Sequence, residues 1–156
     1  AGVAAQQVGH MLEMRIEPYL IASSLVCSIS QRLTRRICKH CSIEDTDVPQ
    51  PIREEMAAFL KIPVDEVRAR KGKGCVECNN KGHRGRVALY EMFLLNQTIA
   101  DLIKPGLRTG ELREAARKTG WRSLREMGWM KVQRGLIPIS EQERWTKVID
   151  TSLLSV

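Results

Sequence analysis

Long apolar runs are missing from this sequence. The most apolar stretch, YLIASSLVCSI at residues 19–29, is too short and too serine-rich to span a bilayer. The first residues lack the basic start and apolar stretch of a signal peptide. Aromatic residues make up only 4% of the chain, so its core has to be mostly aliphatic, with methionine. There is no G-x-x-x-x-G-K-[ST] loop to cradle phosphates, no G-x-S-x-G elbow and no H-E-x-x-H pair. No two carboxylates stand out as a general acid and base. On its own text this stretch is not expected to be an enzyme. It carries no internal repeat and no low-complexity tract.

What is present supports a folded chain. Hydrophobic residues make up 43% of the 156 positions, enough for a core in one ordinary domain or two small subdomains. The formal charge of +7 admits nucleic acid, anionic lipid or acidic protein partners without choosing among them. The chain opens in helix-like text, AGVAAQQVGHMLEM, with no initiating Met and no capping signal, and is expected to be part of a longer protein.

The spacing predicts a helix over residues 4–15, with Val8 and Leu12 on one face, and a second helix started by Pro18. An apolar segment at 19–31 runs into the basic stretch RLTRRICKHC, and residues 42–51 are acidic, proline-containing and loop-like. Pro51 begins a short helix with Ile52, Met56, Phe59 and Leu60 on one face. NNKGHRG reads as a turn and RVALYEMFLL as a strand. The last third is helical. Ile99, Leu102 and Ile103 mark a short helix, and Thr109 is placed to cap the next, which stops at Gly120. Ser123 with Glu126, and Ser140 with Glu143, have capping-box spacing, the latter before a face of Trp145, Val148, Ile149 and Leu153. The fold class is therefore α+β and mostly helical.

Chemistry concentrates in the cysteines. Cys38, Cys41, Cys75 and Cys78 form C-x2-C…x33…C-x2-C. In such a pair a tight turn after the first thiolate aims backbone N–H groups at the sulfurs. Two turns facing each other give a tetrahedral S4 set, the geometry zinc prefers. The middle gap exceeds the common ~15–20 residues and holds a predicted helix, so it reads as a folded insertion. A redox dithiol needs one C-x-x-C at a helix start rather than two pairs. Structural disulfides fit poorly where nothing suggests secretion. Rubredoxin-type iron takes the same ligands, but the chain is otherwise unlike a small electron carrier. One shared zinc site is the expectation. Its four thiolates leave no coordination place for water or substrate, so it is expected to fold the chain rather than catalyse. Metallation would bring the net charge to about +5. Cys27 reads as a buried small hydrophobe. No chemistry is assigned to His10, His40 or His83.

Basic clusters surround the cysteines: Arg32, Arg35, Arg36 and Lys39; Arg68, Arg70, Lys71 and Lys73; Lys81, Arg84 and Arg86. They read as a solvated face or as charge compensating the thiolates, with phosphate contact as the functional alternative. A nucleic-acid reader usually interleaves exposed aromatics or shows a recognition helix. Here the three Trp residues fall in the C-terminal helices.

Four stretches in order carry a resemblance: MRIEPYLIASSLVCSISQRLTRRIC, CKHC, GKGCVECNNKGHRGRVALYEMF and GWRSLREMGWMKVQRGLIPISE. Together they resemble the C-terminal part of the type II secretion and type IV pilus assembly ATPases. The resemblance implies the C-terminal part of a RecA-like motor domain with a tetracysteine zinc subdomain and a terminal helical bundle. The implied division is 1–37 as the helical end of the motor core, 38–81 as the zinc subdomain with its helical insertion, and 82–156 as a strand plus helices. Structural Zn2+ would sit on Cys38, Cys41, Cys75 and Cys78, and Arg32 in QRL would be a nucleotide or intersubunit contact. ATP and Mg2+ would belong to the parent protein only, whose phosphate loop, acidic boxes and His box would lie upstream. That parent is implied to be a hexameric cytoplasmic motor, peripheral at the bacterial inner membrane. Its partners would be its own subunits and the secretion or pilus platform proteins, not nucleic acid. Lys39 replaces the family's usual Pro and His83 its usual Tyr, and GLIPISEQERW is irregular against the family's more acidic turn. An independent zinc-ribbon module that binds nucleic acid is the alternative, and a structural adaptor without a motor is a third reading.

Overall fold

In the computed structural model, which describes residues 3–147, two helices are followed by two strands, a helix, two more strands and four helices. Seven helices are found among the described residues: α1 (Val3–Glu13), α2 (Pro18–Ser24), α3 (Gln50–Leu60), α4 (Gln97–Ala100), α5 (Thr109–Lys118), α6 (Leu124–Gln133) and α7 (Ile139–Thr146). The strands are β1 (Cys27–Ile37), β2 (Ser42–Glu44), β3 (Arg70–Gly72) and β4 (His83–Leu94). β1 pairs with β4, and β2 pairs antiparallel with β3 in the register Ser42–Gly72, Ile43–Lys71 and Glu44–Arg70. By contacts the residues group into two units that change over at Gln31/Arg32 within β1, at Leu89/Tyr90 within β4 and at Ser123/Leu124 before α6.

One unit, residues 3–31 and 90–123, is a helical layer on the ends of β1 and β4. Its core joins Ala4, Ala5 and Val8 of α1 to Ile21, Phe93, Ile99, Leu112, Ala116 and Trp121. Alternation along β4 turns Glu91 inward with Phe93, and the buried Glu91 carboxylate accepts the Ala4 backbone N–H at 2.6 Å. That bond satisfies one of the donors a helix leaves open in its first turn. Asn96 caps α4 by accepting the Ile99 N–H at 2.9 Å.

The other unit, residues 32–89 and 124–147 of those described, carries the cysteines. Its core packs Met56 and Ala57 of α3 against Leu124, Trp129 and Val132 of α6, with Val67, Leu89 and Ile137. Polar clamps fix the connections. Gln133 accepts the Arg68 N–H at 2.8 Å and donates to the Glu66 carbonyl at 2.9 Å. Arg125 reaches Glu55 on α3, with one bond at 2.8 Å, and Glu143 on α7 at 2.9 Å, while its guanidinium lies 5.0 Å from the Trp129 ring centre.

Several local expectations are corrected. Residues 27–37, expected to be helical, form β1. Thr34 turns inward there and donates to the Val87 carbonyl at 2.7 Å, so pairing with β4 decides the conformation. Cys27 is half-buried rather than buried. Phe59 lies largely outside the face that Met56 buries, at 37% exposure. Thr109 and Ser140 lie inside α5 and α7, whose N-caps are Arg108 and Pro138, so neither makes the expected cap. The turn after the second cysteine pair ends earlier, because His83 already belongs to β4. Of the last helices, α5 belongs to the helical unit and α6 and α7 to the cysteine unit. Val148, Ile149 and Leu153 lie outside the described residues.

Candidate metal centre

Each cysteine pair occupies the short link between two strands: β1 leads through Cys38 and Cys41 into β2, and β3 leads through Cys75 and Cys78 to β4. The two strand pairs therefore deliver both links to one place. The β2–β3 ladder is extended by Lys73, whose N–H donates to the Cys41 carbonyl at 2.9 Å. On the other side the Cys38 N–H donates to the Gly82 carbonyl at 2.9 Å.

The four Sγ atoms all lie within 4.8 Å of one another. Cys38 and Cys75 are 3.9 Å apart, Cys41 and Cys78 3.8 Å, and Cys75 and Cys78 3.7 Å. A tetrahedron with metal–sulfur bonds of about 2.3 Å has edges of about 3.8 Å, so these separations fit an S4 set around one ion. All five cysteines are free thiols. Cys38, Cys41 and Cys78 are buried and Cys75 is partly exposed.

Backbone donors are aimed at the sulfurs as expected, most of them at the second cysteine of each pair, while the Cys78 N–H points back at Cys75 Sγ. The Gly74 N–H points at Cys41 Sγ at 3.2 Å. Cys78 Sγ receives the N–H groups of Cys75 at 3.3 Å and Gly82 at 3.2 Å. The electrostatics differ between the two pairs. Burial is the largest influence at Cys41 and pushes its thiol up to about 11, against the Gly74 donor. Burial also opposes ionisation of Cys78, but the Cys75 and Gly82 donors and the neighbouring thiols outweigh it and bring the group to about 6. Burial likewise raises Cys75. The left-handed residues Gly74 (φ 97°), Asn79 (52°), Asn80 (60°) and Gly82 (75°) make the reversals that aim these donors.

The remaining candidates stand apart from the sulfur cluster. Arg32 is exposed on β1, and Lys39 and His40 are exposed within the first link. His10 is exposed beside Glu13 at 3.6 Å. His83 is partly buried, and its Nδ1 has no hydrogen-bond partner. Trp145 is part-exposed on α7. Sequence reasoning missed the pair of Arg35 with Glu141. The buried carboxylate takes the Arg35 N–H at 2.7 Å and its guanidinium at 2.7 and 2.8 Å. The residues are far apart in the chain, and no local pattern announces the contact.

Residues 1–144 match the family described as type II/IV secretion system protein. The type IV pilus assembly ATPase PilB of Thermus thermophilus is 34% identical over 138 residues, covering 88% of this chain and 15% of that relative. The type II secretion system protein HxcR of Pseudomonas aeruginosa is 32% identical over 144 residues, covering 92% of this chain and 26% of that protein. The type II secretion system ATPase E of Vibrio cholerae is 33% identical over 144 residues, covering 92% of this chain and 28% of the relative. The chain thus spans between 15% and 28% of the length of these relatives.

Proposed function

The chain belongs to the type II/IV secretion system protein family, and from that premise we propose that it is the C-terminal, zinc-clamped region of a hexameric ATPase that powers type II secretion or type IV pilus assembly. The observation that carries the reading is the match over residues 1–144 together with four sulfurs at tetrahedral separations. In this reading residues 1–37 end a RecA-like motor core, 38–81 form the zinc subdomain, and 82–156 return to the core and its neighbours. ATP and Mg2+ bind the parent upstream, and Arg32 contacts a nucleotide or an adjoining subunit. The motor works in the cytoplasm at the inner-membrane platform.

The zinc supplies structure, since four thiolates close its coordination sphere. Cys38, Cys41, Cys75 and Cys78 hold it. The Gly74, Cys75 and Gly82 N–H groups share the negative charge of two of those sulfurs. Pinning residues 38–41 to 75–78 fixes where β2–β3, the end of β1 and the start of β4 stand, and so shapes the surface offered to a partner. No observation favours the nucleic-acid alternative. The test is Cys78→Ser in the full-length parent. ATPase turnover and pilus or secretion output should both fall while nucleotide binding persists. Unchanged output from a zinc-free variant would overturn the reading.

A further inference from the structure

Beside the cysteine links lies an open depression of about 410 Å3 lined by Arg35, Lys81, His83, Gly85 and Arg86. This volume is in the range of small-ligand sites, about 300–1,000 Å3. The lining contains no carboxylate. Arg35 is held in place from behind, because the 2%-exposed Glu141 side chain takes its Nε and one terminal nitrogen on a single oxygen at 2.8 and 2.7 Å. Lys81 and Arg86 are exposed, and neither forms an ion pair among the described residues. Burial, then the nearby Arg35 charge, hold His83 below its ordinary pKa, so its imidazole is neutral at physiological pH. Its buried Nδ1 has no partner in the protein, and a buried nitrogen left open in a polar cavity calls for a ligand or water.

Three cations thus face one carboxylate. The surplus of two positive charges matches a phosphate, which carries about −1.5 to −2 near neutrality, better than a single carboxylate. Two guanidinium forks and an ammonium in one depression offer several donors to a tetrahedral anion. We propose that this depression is a phosphate-binding site in which Arg35, Lys81 and Arg86 hold the oxygens and His83 contributes a ring nitrogen. The assignment does not depend on the ATPase reading or on the identity of the metal.

The test titrates inorganic phosphate into the 156-residue chain and follows the His83 ring resonances by NMR. They should move to saturation. Lys81→Ala and Arg86→Ala, both at exposed positions that leave the circular dichroism unchanged, should each weaken binding about tenfold or more. Lys104→Ala, outside the depression, should leave it unchanged. Vesicles containing phosphatidic acid, whose headgroup is a phosphate monoester, sort the source. Competition with inorganic phosphate assigns the site to a lipid headgroup, and phosphate binding untouched by vesicles assigns it to a soluble phosphate compound; both support the proposal. Unmoved His83 resonances overturn it, as does a triglutamate peptide that binds as tightly as phosphate.

Discussion

A Cβ on Gly72 would stand 1.9 Å from the carbonyl oxygen of Gly82, and a Cβ on Gly82 would stand 2.7 Å from the carbonyl oxygen of Gly72. The end of β3 and the turn before β4 touch backbone to backbone, with room for no side chain. Gly82 also donates its N–H to Cys78 Sγ at 3.2 Å and accepts from Cys38 N at 2.9 Å. The contact therefore sets two cysteines at once.

Gly72→Ala should consequently act on metal retention more than on helix content. The obstacle is backbone and cannot rotate aside, so the cost should lie at or above the ~3 kcal/mol upper range of overpacking. Competition with a chromophoric chelator should show at least tenfold faster metal loss. Gly85→Ala is the control: a Cβ there meets nothing within 4 Å, but its φ of 83° brings ordinary left-handed strain. Equal metal retention in the two variants would refute the account.

Removing the metal should loosen the cysteine unit. The protein purified without added metal should carry about one zinc per chain and be colourless, whereas iron on four thiolates would be coloured. Chelation, or Cys78→Ser, should cost about 3–5 kcal/mol, an estimate below the values for zinc-dependent peptides because α3 and α6 keep their own core. For a chain of this size that lowers Tm by about 10 °C. Hydrogen exchange should rise first at Gly74 and Gly82, whose N–H groups point at the sulfurs, and at Lys73, which donates to the Cys41 carbonyl. No change in Tm on chelation would count against the clamp.

The cysteine centre was legible because ligand identity and spacing are themselves chemistry, and the four sulfurs meet as C-x2-C twice suggests. Helices with strong punctuation were legible too: Pro51 stands in the first turn of α3, and Gly135, at φ 70°, follows α6. β1 was not, because SISQRLTRRI has no clean period and becomes a strand only through pairing with β4. Ser140 and Glu143 had the right spacing for a cap. Pro138 takes that position instead, and Glu141 and Glu143 turn to Arg35 and Arg125. Such long-range ion pairs leave no local signature.

The Arg125 cluster makes a pH prediction. Hydrogen bonds from Arg125, opposed by burial, hold the Glu55 carboxyl below its ordinary value of 4.5. A depressed folded pKa contributes stability that is complete above the ordinary value and is lost as pH falls through the lower folded one. Stability should therefore decline on acidification below about pH 4.5, and Glu55→Gln should flatten that limb. At neutral pH the variant should cost about 1–2 kcal/mol, discounted because the Glu55 side chain is 31% exposed. Urea titrations at several pH values read both quantities. A limb as steep in Glu55→Gln as in the parent would remove Glu55 from the cause.

Gly128 and Gln142 offer a sharper test of how α6 meets α7. A Cβ on Gly128 would stand 1.7 Å from Gln142 Oε1, yet Gln142 is fully buried and donates to the Arg125 carbonyl at 2.8 Å. The obstructing atom ends a flexible side chain, so Gly128→Ala is accommodated by swinging the amide away. That movement breaks the bond to Arg125 and leaves buried polar atoms unpaired, at a cost of about 1–3 kcal/mol. Part of this is offset because Ala favours the helix over Gly by about 1 kcal/mol. Gln142→Ala removes both the clash and the amide but opens a void. The two changes should therefore be less than additive: Gly128→Ala should cost less in the Gln142→Ala background than alone, and there its helix propensity should make it neutral or stabilising. A double-mutant cycle by chemical denaturation measures this coupling. Strict additivity would mean that the Gln142 amide is not what keeps position 128 small.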